Sequence, residues 1–174
     1  TYGTCDDRLL DDFDLDVRRH VYFSVVAKGR PPKTAATAGA FGLTEPEAGS
    51  DAGNVRTRAT LGDDGWTING AKQFITNAGT EISGHVAITA VTGEVDGRKE
   101  ISAIIVPSGT PGFQVAPDYA KVGWNASDTH ELSFTDVRVP LANLVGVRGR
   151  GYAQFLSILA EGRVAIAALA TGLA

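Results

Sequence analysis

The sequence predicts a mainly β body, a barrel or a sandwich, flanked by helical segments. Three features carry that prediction. Glycine outnumbers proline by 21 to 7, a balance that suits many tight turns. Between about residues 38 and 148, short runs alternate apolar and polar side chains, divided by Gly and Asp. Toward both ends, apolar residues recur at helical spacing instead. With 43% hydrophobic residues over 174, the chain can bury a real core, as one compact domain or as a domain with a helical appendage.

Residues 1–37 read as a helical segment and a linker. Leu10, Phe13, Val17 and Val21 fall on one helical face, and Asp6 and Asp7 suit a helix N-terminus. Val21 to Val26 has β character of its own. Gly29-Arg30-Pro31-Pro32 ends whatever precedes it.

Residues 38–148 form the β body. Val55 to Leu61 alternates in period two, Gly62-Asp63-Asp64-Gly65 turns the chain, and Trp66 to Asn69 returns to close a hairpin. Asn69-Gly70 is a second turn signal, so Ala71 to Thr76 is expected as a separate extended run. Further strands are expected at His85 to Val91, Ile101 to Pro107, Gly112 to Pro117 and His130 to Val139. This spacing favours a sandwich or barrel without parallel βαβ units.

Residues 149–174 read as a helix with Tyr152, Phe155, Leu156 and Leu159 on one stripe. From Val164 to Leu169 it is apolar all round, which in a soluble protein requires burial on every side. The chain offers too few other helices for that. Further helices or a partner chain are therefore expected.

A net charge of -4 with no basic stripe argues against nucleic acid as the main partner. Cys5 stands alone, and His20, His85 and His130 lie far apart, so neither a disulfide framework nor a metal site is expected. The longest apolar run, Val164 to Ala170, is too short to span a bilayer, and Glu161 and Arg163 stop its extension toward the N-terminus. No signal peptide is visible, and a cytoplasmic location is expected. The chain starts without Met, which suits a piece trimmed from something longer.

The run most informative about chemistry is Phe41-Gly42-Leu43-Thr44-Glu45-Pro46-Glu47-Ala48-Gly49-Ser50-Asp51. It puts two hydroxyls and several backbone N–H groups on a loop after a short strand. Pro46 stiffens the turn, and Gly49 leaves room for a bulky partner beside the backbone. Such loops suit phosphate or a polar heterocycle. An ordinary Gly-rich turn, with an Asp stabilising its own backbone, is the structural alternative.

This run resembles the signature of acyl-CoA dehydrogenases, and three more stretches agree in order and spacing. Ile68 to Asn77 resembles the family's second flavin motif. Gly123 to Thr129, with Phe134 to Pro140, resembles the end of its β-domain. Glu161-Gly162-Arg163 resembles the start of its first long C-terminal helix. The resemblance covers about Ala38 to Ala174; before Ala38 none is legible. It implies FAD as cofactor, with Phe41, Leu43 and Thr44 along the isoalloxazine ring and Gly49 and Ser50 near the pyrophosphate. Phe74, Ile75 and Thr76 would complete the wall, with Phe74 in place of a commonly aromatic residue. Ser50 and Arg163 would touch an acyl-CoA substrate.

Read without the family, Phe41 and Phe74 are equally plain core aromatics, Thr44 and Thr76 ordinary strand residues, and Arg163 a solvated helix residue. Two departures bear on the roles. Asn54 stands where relatives often have a small residue. Ala160 stands where they often carry a substrate-binding Asp. Glu161 is one residue off the position of a Glu base used by some relatives, so it is not assigned.

The resemblance implies α,β-dehydrogenation of an acyl-CoA thioester, with electron-transfer flavoprotein as acceptor and a homodimer or homotetramer as the assembly. The usual Glu base would lie beyond Ala174, so this chain alone is expected to be inactive. Related flavin monooxygenases and nitroalkane oxidases, and a non-catalytic interaction fragment, remain alternatives.

Overall fold

The computed structural model describes residues 38–174; the helical and linker readings of residues 1–37, with Cys5 and His20, lie outside them. Eight strands make up one sheet: β1 Ala38–Gly42, β2 Arg58–Leu61, β3 Trp66–Thr76, β4 Ser83–Val95, β5 Arg98–Pro107, β6 Phe113–Val115, β7 Thr129–Val139 and β8 Leu144–Val145. Their order is β6-β7-β3-β2-β4-β5-β8, with β1 paired to β4. Helix α1, Gly151–Leu173, follows.

The mainly β architecture follows the sequence prediction. β1 runs parallel to β4, as does β2 through the single pair Arg58 and Val91. These parallel pairs arise without a helical crossover, because strands make the connections. One apolar cluster takes Ala59 from β2, Ile68 from β3, Ile88 from β4, Ile104 from β5 and Leu132 and Phe134 from β7. Side chains from near both ends of the strand order thus share one core, and the sheet curls around it. β4 and β5 also bury Ala87 and Ala103 on their other face, against Phe155 of α1. Burial on both faces explains their near-continuous apolar runs.

The β2–β3 hairpin forms as expected, with Leu61 opposite Trp66. Asn69-Gly70, in contrast, makes no turn. β3 runs straight through it, because the irregularity is a bulge in the pairing with β7. There β7 carries an extra residue around Asp136, whose φ is +50°. Asn69 secures it: its Nδ2 donates to Asp136 Oδ1 at 3.0 Å, and the Asp136 N–H donates to Asn69 Oδ1 at 2.9 Å. Gly70 adopts φ +150°, and a Cβ there would lie 2.7 Å from Thr57 Cα. Glycine is needed because a neighbouring backbone, not a turn, occupies the space.

β4 and β5 are longer than expected and meet in a tight hairpin, where Asp96 and Gly97 both have positive φ. Residues 55–57 alternate in burial as a strand would, but the ladder starts only at Arg58. The N–H groups of Arg56 and Thr57 are committed to a side chain instead.

α1 is one uninterrupted helix. Phe155 is fully buried and stacks on Phe41, with ring centroids 4.0 Å apart. Beyond Arg163 the helix is bare: Val164 and Leu173 are each 73% exposed. Its 23 residues are long and apolar enough to cross a membrane by length and composition alone, which the seven-residue run did not suggest. Only Glu161 and Arg163 are charged within it.

Replacing Gly70 with Ala should lower stability by about 1–3 kcal/mol, from strained φ and the Thr57 contact. Urea denaturation of the two proteins checks this; an unchanged midpoint would mean that the Thr57 backbone yields freely.

Candidate functional site

Two segments build the site, the loop after β1 and the end of β3. The loop is pinned by a pair of backbone bonds between Glu45 and Ala48, each 3.1 Å. Pro46 and Glu47 project into solvent, while Glu45 turns inward and is 2% exposed. Its carboxylate meets Lys72 of β3, Nζ to Oε1 2.7 Å, and Lys72 is fully buried. Lys72 Nζ also donates to the Leu43 carbonyl at 3.3 Å and to Thr89 Oγ1 at 3.0 Å. Glu45 accepts the N–H of Arg56 at 2.6 Å and that of Thr57 at 3.2 Å. Next to this pair, the Gln73 N–H donates to the Thr44 carbonyl at 2.8 Å.

Burial pushes the Lys72 ammonium down to about 8, against the opposing pull of Glu45. Burial alone would raise the Glu45 carboxyl, but the Lys72 charge and the hydrogen bonds from Lys72, Thr57 and Arg56 outweigh it, and the net direction is down. The carboxylate is well compensated. The ammonium carries the cost of the dry surroundings.

β3 then bends at a second bulge, between Lys72 and Ile75. Phe74 sits at this bulge with φ +60°, an uncommon conformation for a large side chain. The extra residue changes the parity of the strand. Lys72 and Ile75 therefore both point inward, leaving Phe74 59% exposed and Thr76 exposed beside it. Asn77, also at positive φ, ends the strand, and its N–H donates to Asp128 Oδ1 at 3.1 Å.

Above these segments lies an open cavity of about 1050 Å³, roofed by α1. Every residue singled out in the sequence borders it: Phe41, Leu43, Thr44, Gly49, Ser50, Phe74, Ile75, Thr76 and, on the helix, Arg163. Their side chains are not equivalent. Leu43 and Ile75 are buried in the apolar clusters, whereas Thr44, Ser50 and Thr76 have hydroxyls with no partner among the described residues. A Cβ on Gly49 would meet no protein atom within 4 Å. The protein itself therefore makes no demand for glycine there.

The cavity's fourth wall, Trp124 to Ser127, received no role in the sequence. Its signal was the Gly123 to Thr129 stretch, legible as a motif but not as a wall. Trp124 is 65% exposed with φ +59°. Lys121 fixes the loop's far side, donating to the Ser127 carbonyl and to Thr129 Oγ1. Among the described residues, no group of three His, Cys, Asp or Glu is placed to hold a metal.

Residues 40–137, more than half of the chain, match the family model of the acyl-CoA dehydrogenase middle domain. The chain belongs to the acyl-CoA dehydrogenase family. It is 51% identical over 137 residues to a probable acyl-CoA dehydrogenase of Bacillus subtilis, covering 78% of this chain and 36% of that protein. It is 39% identical over 166 residues to a short-chain-specific acyl-CoA dehydrogenase of Clostridium acetobutylicum, covering 95% and 42%. A match of that length reaches into the segment before Ala38, where no resemblance was legible in the sequence. A solved acyl-CoA dehydrogenase of Bacillus anthracis complexed with FAD superposes with a TM-score of 0.64 at 36% identity, covering 71% and 21%. The chain spans less than half the length of these curated relatives. In this acyl-CoA dehydrogenase middle domain, the two matching motifs are the segments joined by Glu45 and Lys72.

Two outcomes follow from the ion pair. Lys72→Met leaves a buried carboxylate unpaired and should cost about 3–5 kcal/mol, measurable by urea denaturation; a loss below about 1 kcal/mol would contradict the pairing. Glu45 binds its proton less readily folded than unfolded, so its stabilisation is complete above pH 4.5 and is lost as pH falls through the lowered folded value. The difference in melting temperature between wild type and Glu45→Gln should therefore narrow as pH is taken below 4.5. A difference that stays constant would show the carboxyl is not lowered.

Proposed function

We propose that the cavity is one wall of an FAD site and that the chain is the flavin-holding portion of an acyl-CoA dehydrogenase. The observation that carries this reading is the convergence of all nine motif residues on one cavity. The site's chemistry fits such a cofactor. Phe41 and Phe74 offer aromatic surface, Thr44 and Thr76 offer uncommitted hydroxyls to ring heteroatoms, and Gly49 with Ser50 offers an open loop suited to phosphate. Bound there, FAD supplies the hydride acceptor for α,β-dehydrogenation of an acyl thioester.

In this proposal the chain's own residues bind, orient and exclude water. Thr44 and Thr76 hold the ring by hydrogen bonds; Leu43 and Ile75 keep the floor beneath it dry. Arg163, the one charged residue bordering the cavity among the described residues, attracts the anionic CoA portion. The α-proton is removed by a base that this reading places outside these residues, so the chain alone does not turn over. The bare half of α1 supports burial against further helices or another subunit, in a homo-oligomer that passes electrons to electron-transfer flavoprotein.

Titrating the purified chain with FAD, followed by fluorescence and visible absorbance, should give saturable binding. Thr44→Ala and Thr76→Ala should each weaken it about two- to tenfold, the worth of one hydrogen bond. FMN should bind more weakly for lack of the adenylate half. No binding by this chain, nor by a longer chain carrying the further helices proposed above, would defeat the proposal.

A further inference from the structure

The pair Lys72 and Glu45 lies behind the cavity wall and touches no ligand-facing space, yet it fastens the loop that supplies Thr44. Lys72 reaches from β3 to three acceptors: the Leu43 carbonyl, the Glu45 carboxylate and Thr89 Oγ1 on β4. Glu45 extends the link to the N–H groups of Arg56 and Thr57. Between them, Thr44 is held by its carbonyl on the Gln73 N–H. Residues 43, 44 and 45 thus each have a fixed point, and the Thr44 hydroxyl is left uncommitted.

A buried ion pair is poor evidence of a stability function, since a well-packed apolar replacement often serves as well. An apolar pair would fill the same volume, but it would leave the Leu43 carbonyl and the Arg56 and Thr57 N–H groups without partners. The geometry is therefore that of a device for directing backbone. We propose that Lys72 and Glu45 are positioning residues, whose contact with the Leu43 carbonyl and the Glu45 side chain sets the Thr44 hydroxyl for the cofactor. This rests on the FAD reading of the cavity.

A double-mutant cycle in FAD affinity tests it, at a temperature where circular dichroism shows every variant folded. Lys72→Met should weaken FAD binding about fivefold to tenfold, as loss of one directed hydrogen bond would. In a Thr44→Ala background the same substitution should have almost no further effect, because the hydroxyl it positions is gone. Thr89→Val removes only one Nζ contact; it should give a smaller loss that Thr44→Ala also suppresses, and it serves alone if Lys72→Met does not fold.

Unaltered FAD affinity in these variants, or losses that simply multiply with that of Thr44→Ala, would overturn the positioning role. Were neither this chain nor a longer one to bind FAD, the cavity reading would fail first. Amide exchange would then decide the rest: faster exchange at Thr57 and Gln73 in Lys72→Met would leave the pair a backbone clamp without a cofactor to serve, and that too overturns the inference.

Discussion

The arrangement of the site depends on one buried contact, the ion pair between Lys72 and Glu45. Two opposite charges in a dry interior are tolerable only when their remaining donors and acceptors are filled. Here those needs recruit the Leu43 carbonyl, the N–H groups of Arg56 and Thr57, and the Thr89 hydroxyl of β4. In residues 43–51 of the loop after β1 only Leu43 and Ala48 are buried apolar residues, while Pro46, Glu47, Gly49 and Ser50 are exposed. Polar contacts therefore do for this loop what apolar packing does for the sheet. Its position is tied to β3, which carries the other half of the cavity wall.

The second bulge in β3 completes this division of labour. A regular strand would put Lys72, Phe74 and Thr76 on one face. Pointing all three inward would bury a ring and a hydroxyl beside an ammonium; pointing all three outward would dissolve the ion pair. The extra residue at the bulge removes the conflict, since Lys72 stays inside while Phe74 and Thr76 face the cavity. The positive φ of Phe74 is the local strain this requires. That backbone strain falls on a residue bordering the cavity agrees with a site where geometry is selected over local comfort.

What was legible in the sequence follows from what kind of signal each feature leaves. The strands at β4, β5 and β7 and the β2–β3 hairpin showed themselves through alternation and turn residues, which are local. The cavity residues showed themselves through ordered motifs. The Asn69-Gly70 bulge did not, because the same dipeptide serves a turn when strands end and a bulge when a neighbour such as Thr57 presses on the backbone. Lys72 left only a faint trace, as a charged residue inside a run with buried Ile68 and Ile75. Its partner lies 27 positions away, and no local pattern announces a contact of that range. The wall at Trp124 to Ser127 was hidden for the same reason: it borders the cavity through folding, not through adjacency.

The helix shows where local pattern and environment part company. Its first half obeys the stripe seen in the sequence, with Phe155 buried against the sheet and Tyr152 packed nearby. Its second half borders the cavity with Ile166, Leu169 and Leu173 while Val164 and Leu173 stay largely exposed. An apolar surface of this kind is costly in water. The family relationship supplies a reason that does not require a bilayer. The curated relatives are more than twice as long as this chain, and additional protein packed on the helix would cover that surface and close the cavity at once. Under the proposed reading, protein packed on the helix would also close over the cavity, so burial of the helix and enclosure of a cofactor would be one structural event.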